Sequence, residues 1–219
     1  MKNLSIISCL VTLLLMSGAC LAQSELNSKE VLQTMPVQSG GRLKPLDTLA
    51  RETVRLVTGK ATFEKRDSVE NLLAWWANPE KTAQAPIIEF RDLAVKKELG
   101  LDEDKRWFSY QELAQNQRLN QWQEEIHQHL QNEEELHGDE EKVQQLLVKV
   151  NVVRQIMDGN VFQAVPNPGG LKEDWGSFAD LNHDEILPVV EPVREAVDKL
   201  REAIQSNDQQ KIGQAAAEA

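Results

Sequence analysis

The sequence predicts a mainly α protein: an irregular helical domain with a long αα-hairpin and few short strands. Three observations carry this expectation. Apolar residues at spacings of three and four run through two consecutive stretches between about residues 110 and 158, parted by a short charged loop. A further seam of the same kind, Val193, Val197, Leu200 and Ile204, lies near the C-terminal end. The apolar/polar alternation of strands is scarce, and no internal repeat is present.

The N-terminal residues are set apart before the fold is considered. Lys2 supplies a basic start, "LSIISCLVTLLLM" an apolar core and "SGACLAQSE" the small residues of a cleavage site. Residues 1–22 therefore read as a secretory signal, cut after Ala22; the apolar run is shorter than the roughly 20 residues of a membrane span. An alternative is lipidation at Cys20, because "MSGAC" resembles a lipoprotein box. Both cysteines, Cys9 and Cys20, fall inside this segment, so the mature chain is expected to hold no disulfide. The expectation is an exported chain, periplasmic or on the extracytoplasmic face of the membrane, with residues 23–219 as one helical domain.

Residues 23–34 are polar and read as loosely ordered. "SGG" (Ser39–Gly41) signals a turn. Asp47 is placed to cap a helix with apolar positions Leu49, Val54, Leu56 and Val57, closed by Gly59. Ser68 is placed to cap "SVENLLAWWA", which stops at Asn78-Pro79. "APIIEF" is strand-like, and "DLAVKKELG" a short helix closed by Gly100. Ser109-x-x-Glu112 is a capping box. The stripe Leu119, Trp122, Ile126, Leu130 follows and is broken at Gly138. Val143, Leu146, Leu147, Val150, Val153, Ile156 and Met157 form the second stripe, stopped by Gly159. Two long helices about a short loop fold back on each other, and their Gln- and Glu-rich outer faces suggest a pair projecting into solvent. "VFQAVPNPGG" runs extended into a Pro/Gly loop. Pro188 and Pro192 fall near the first turn of the last long helix, since an interior proline costs ~3 kcal/mol. A short tail helix is expected from Asp208.

The totals bound the function. The 219 residues carry 24 Lys+Arg against 35 Asp+Glu, a net charge of -11. Nucleic acid and anionic lipid both select basic surfaces, so neither is an expected partner. No H-E-x-x-H, C-x-x-C-H, G-x-S-x-G or phosphate loop occurs. His127 and His129 point about 200° apart on a helix and cannot share a metal. His137 beside Glu134 and Glu135 reads as a solvated helix end, and His183 stands alone in a polar loop. No acid/base pair is defensible, and an enzyme is not expected. Trp75 and Trp76 face about 100° apart on a helix, which sends one to the core and leaves the other at a rim.

Residues 35–52, "MPVQSGGRLKPLDTLARE", resemble a segment of the extracytoplasmic region of CcsA/ResC-like cytochrome c biogenesis proteins, the System II haem-delivery and attachment machinery. The match runs through Pro36, Val37, Gln38, Gly41, Arg42, Lys44, Pro45, Leu46, Asp47, Thr48, Leu49 and Ala50. "LLAWWANPEKTAQAPIIEF", "WFSYQEL" and "VFQAVPNPGG…DWGSFADL" match more loosely. The family's catalytic half, a multi-span membrane protein with a "WWD" haem-handling motif, has no counterpart here; Trp75-Trp76 is followed by Ala77. The resemblance implies a non-catalytic accessory or scaffold role in c-type cytochrome biogenesis. The implied partners are a separate membrane cytochrome c synthase-type protein, apocytochrome c, or both. Membrane association would come through that partner or a lipid anchor. No stably bound cofactor is expected; contact with haem is left open. Arg42, Lys44, Asp47 and Trp76 are the candidate partner-binding residues. The alternative is a general periplasmic helical adaptor unrelated to haem.

Overall fold

A computed structural model describes residues 30–166, 174–180 and 191–206. The segment read as a secretory signal with Cys20, the expected first-turn Pro188, the loop histidine His183 and the tail from Asp208 lie outside the described residues. The chain is mainly α, with three two-stranded antiparallel sheets among the described residues. It divides into two compact units, Pro36–His183 and a second formed by the two ends of the chain.

The larger unit opens with a hairpin, β1 (Pro36–Ser39) and β2 (Arg42–Pro45), in the register Pro36↔Pro45 and Ser39↔Arg42. Gly40 and Gly41 both take positive φ, 60° and 71°. A two-residue loop of that hand matches strand twist and needs glycine. Composition did not announce these strands, because Pro, Gly and Lys dilute the pattern.

Helix α1 (Leu46–Thr58) follows directly. Its N-cap is Pro45, with no side-chain cap bond, so Asp47 is not the cap; it lies in the first turn, where a carboxylate complements the helix dipole. Leu46, Leu49, Ala50, Val54 and Val57 are buried, whereas Leu56 is 42% exposed, off the expected face. Gly59 closes the helix at φ 73°. In α2 (Ser68–Ala77) the cap is Asp67 rather than Ser68: Asp67 and Glu70 close a reciprocal capping box. Ser68 instead buries its hydroxyl, donating to the Ala61 carbonyl at 2.6 Å.

Pro79 starts α3 (Pro79–Gln84) at its first turn, where no N–H is needed. Strand β3 (Pro86–Glu89) pairs with β4 (Trp107–Ser109) across a bulge. Between them α4 (Leu93–Glu98) is capped by Asp92. Ser109 caps α5 (Tyr110–Ala114) through Glu112 N–H, but the Glu112 carboxylate pairs with Lys105, so the box is half closed.

The αα-hairpin is α6 (Gln117–Gln131), capped by Asn116, and α7 (Asp139–Asp158). The first helix ends well before Gly138, which starts α7 at φ 59° instead. Leu119 and Ile126 are buried, Trp122 is half-buried and Leu130 is 49% exposed. The hairpin does not project freely. Helix α7 buries Val143, Leu146, Val153 and Ile156 and packs against α1, α2, α3, α4, α5 and α6. It is the central post of this unit. Gly159 stops it at φ 83°, and β5 (Gln163–Val165) then pairs with β6 (Gly176–Ser177).

In the other unit residues 30–34 are helical and α8 spans Glu191–Ser206, with Pro192 in its first turn. Its buried face is Ala196, Val197, Leu200 and Ala203. Ile204, expected in that seam, is half-buried, and the Val193 side chain lies outside the described residues. Among the described residues no helix is long and apolar enough to cross a membrane.

Candidate functional site

The segment carrying the family resemblance folds as one piece, the β1–β2 hairpin and the start of α1. Part of it is scaffold. Val37 is fully buried, and Gln38, 5% exposed, accepts a hydrogen bond from Trp175 N–H at 2.7 Å. That bond ties the hairpin to the strand-and-turn region around β6, 137 residues later. The candidate polar residues lie near one another but differ in state. Lys44 pairs with Glu52 at 2.7 Å, and Asp47 pairs with Arg51 one helical turn on at 3.0 Å. Exposed pairs of this kind contribute ~0.5 kcal/mol. Arg42 is exposed, as is its neighbour Leu43 at 46%. Among the described residues no ion pair holds Arg42, so its guanidinium is the candidate with donors to offer.

Trp76 is not at a rim. Both tryptophans are buried, Trp75 at 6% and Trp76 at 3%. Helix α2 packs between α1 and α7, so it has no wet side for a large ring. The Trp76 indole meets Phe162 edge-on at 5.5 Å and Phe178 at 5.2 Å, and the two phenylalanines stack at 5.1 Å. Gly159 passes so close that a Cβ there would sit 3.1 Å from the indole nitrogen. Trp76 is thus the centre of an aromatic cluster that joins α2, the end of α7 and the β5–β6 region.

Sequence reasoning missed a charged cluster around Glu89. This residue is buried at the end of β3, and its carboxylate accepts from Arg91 and Arg106, each with an Nη2 atom 2.6 Å from its Oε1. The Lys149 ammonium on α7 donates to the Glu89 backbone carbonyl at 2.8 Å. Burial pushes the Glu89 carboxyl up, but hydrogen bonds and charge from Arg106 and Arg91 outweigh it and hold the group below the ordinary glutamate value. Burial pulls the Lys149 ammonium below the ordinary lysine value. Gly59 completes the arrangement: a Cβ in its place would collide with the Glu89 carboxylate. Positions 59, 89, 91, 106 and 149 share no motif, so only the fold brings them together.

A groove of about 680 Å³ runs along the hairpin between α5, α6 and α7. Leu130 and Val148, 49% and 41% exposed, line it with His127, Asn120 and Arg154. Its floor is Leu113, Leu119 and Ile126. Nothing in it pairs a nucleophile with a base. His129 lies 3.0 Å from Glu140 and 3.9 Å from Glu134 at the turn of the hairpin, and among the described residues no group of His, Cys, Asp and Glu is arranged to hold a metal ion. What these surfaces can do chemically is bind: a free guanidinium on the hairpin, a half-apolar groove and a cationic cluster.

Comparison with protein-family models and with curated proteins gave no match to this chain.

Proposed function

We propose that this chain is a non-catalytic accessory component of c-type cytochrome biogenesis on the extracytoplasmic face of the membrane. There it holds or orients a separately encoded membrane haem-delivery and attachment protein, or that protein's apocytochrome substrate. The single observation behind this reading is the Pro36–Ala50 segment. Its matched residues divide between scaffold (Val37, Gln38, Leu46, Leu49, Ala50) and an exposed turn carrying Arg42. A buried tie such as Gln38 accounts for the fold of the segment but not for Arg42 beside the turn or Lys44 two residues on. Exposed polar residues on a rigid hairpin are suited to recognition.

The test is affinity capture from solubilised membranes with the tagged chain. The wild type is expected to co-purify a multi-span protein carrying a Trp-Trp-Asp motif. The double variant Arg42→Ala, Lys44→Ala should lose that partner while its thermal unfolding midpoint stays within a degree or two, because the only ion pair removed is an exposed one worth ~0.5 kcal/mol. Unchanged capture would make the stretch a fold determinant only. The groove along α6 and α7 favours a second reading, a general periplasmic helical adaptor; capture of partners unrelated to cytochromes would select it.

A further inference from the structure

We propose that the Trp107 face of the larger unit is a docking surface for a short acidic segment of a partner polypeptide. The half-buried Trp107 indole carries two cations: the Arg106 guanidinium lies 4.4 Å and the Lys60 ammonium 4.9 Å from the ring centroid. Trp107 is itself fixed, donating its indole N–H to the Thr58 carbonyl at 3.3 Å and meeting Phe63 edge-on. Arg106 continues into the cluster at Glu89, and through that carboxylate to Arg91, whose side chain is 65% exposed. Lys149 adds a fourth cation, bound to the Glu89 backbone. Two guanidinium groups therefore share one carboxylate, with Lys149 on the backbone of the same residue and Lys60 across the Trp107 ring, and the Glu89 side chain is 10% exposed while Arg91 and Arg106 are 65% and 37% exposed.

This excess is local and runs against the chain as a whole, which is acidic by 11 charges. Screening at physiological salt confines an exposed charge to about 8 Å, so a ligand touching the indole is governed by the charges beside it, Arg106 and Lys60 foremost. A guanidinium has five N–H donors in a planar fork suited to carboxylates. Arg91 and Arg106 direct only their Nε and Nη2 groups to Glu89. The same overall charge opposes an extended polyanion. Nucleic acid or an anionic bilayer would bring many negative charges against the acidic remainder of the surface, which is why a short carboxylate-rich segment is the better complement. Glu89 works beneath this surface by holding two mutually repelling guanidinium groups in place.

The probe is a fluorescein-labelled octaglutamate peptide, titrated with the full chain at low ionic strength and read by anisotropy. Binding is expected, and raising the salt to a few tenths molar should abolish it. Lys60→Glu should weaken it roughly tenfold. Among the described residues the Lys60 side chain makes no ion pair or hydrogen bond beside its contact with the Trp107 ring, so the unfolding midpoint of Lys60→Glu should match the wild type. Lys81→Glu, at an exposed position on α3, makes the same change of charge elsewhere and should leave the peptide affinity unchanged. The proposal is overturned if octaglutamate does not bind or if Lys60→Glu and Lys81→Glu weaken it equally. It is also overturned if phosphatidylglycerol vesicles or duplex DNA outcompete the peptide. Its outcome is independent of the role in cytochrome assembly.

Discussion

Replacing Trp76 by alanine should lower the stability of the protein by about 3–5 kcal/mol. The side chain is almost fully buried and is the shared contact of Phe162 and Phe178. Removing it leaves a void lined by rings and by the αL glycine at 159, which the surrounding backbone cannot fill by small shifts. The loss also separates α2 from the β5–β6 region, so urea unfolding should show both a lower midpoint and early release of that region. Trp76→Phe should recover more than half of the loss, because a ring remains to pack on Phe162. A tryptophan used mainly for partner contact would behave differently: truncation would cost under ~1 kcal/mol and would abolish capture instead.

The second large effect belongs to Glu89. Glu89→Gln should cost about 2 kcal/mol at neutral pH. Breaking a fully buried ion pair costs more, but water reaches Arg91 and Arg106 and recovers part of the loss. The effect should depend on pH in one direction. The folded state holds this carboxyl below its ordinary value, so the unfolded chain takes up the proton first. The stabilisation is complete above the unfolded pKa of roughly 4.3 and fades as the pH falls through the folded value. The gap between wild type and Glu89→Gln, measured by urea unfolding, should therefore be widest near pH 7 and narrow as the pH falls below the unfolded value of roughly 4.3. A gap that is constant with pH would mean that the carboxylate charge does not hold the arginines.

The long helices and the stops of α1, α4 and α7 are legible in the sequence because each is set by local chemistry, whereas α6 ends at Gln131, ahead of the expected break at Gly138. The α7 stripe and the glycines at 59, 100 and 159 need nothing beyond their own neighbours along the chain. The shifted caps at α1 and α2 show where local chemistry is degenerate. Asp67 and Ser68 are both good caps, and the reciprocal bond to Glu70 decides between them. Pro45 can precede α1 uncapped because the hairpin already fixes its backbone. Burial of Trp76 was not legible, since a helix looks half-wet until a second helix is known to cover its other face. The Glu89 cluster was invisible for a related reason: its members come from the end of α1, β3, β4 and α7. Of the candidate site, proximity was legible, as Arg42, Lys44 and Asp47 do lie together. The pairing of Lys44 was not, because Glu52 becomes its partner only once α1 follows the hairpin without a break, whereas Asp47 and Arg51 pair as neighbours one turn apart in the same helix.

The proposed role in cytochrome assembly is tested most directly in cells that encode this chain. Covalent haem in c-type cytochromes would be stained after denaturing electrophoresis, with the gene deleted and then restored. The account predicts that c-type cytochromes fall sharply in the deletion, recover with the wild-type gene, and recover poorly with the Arg42→Ala, Lys44→Ala variant. A deletion strain that matures its full set of c-type cytochromes would contradict it.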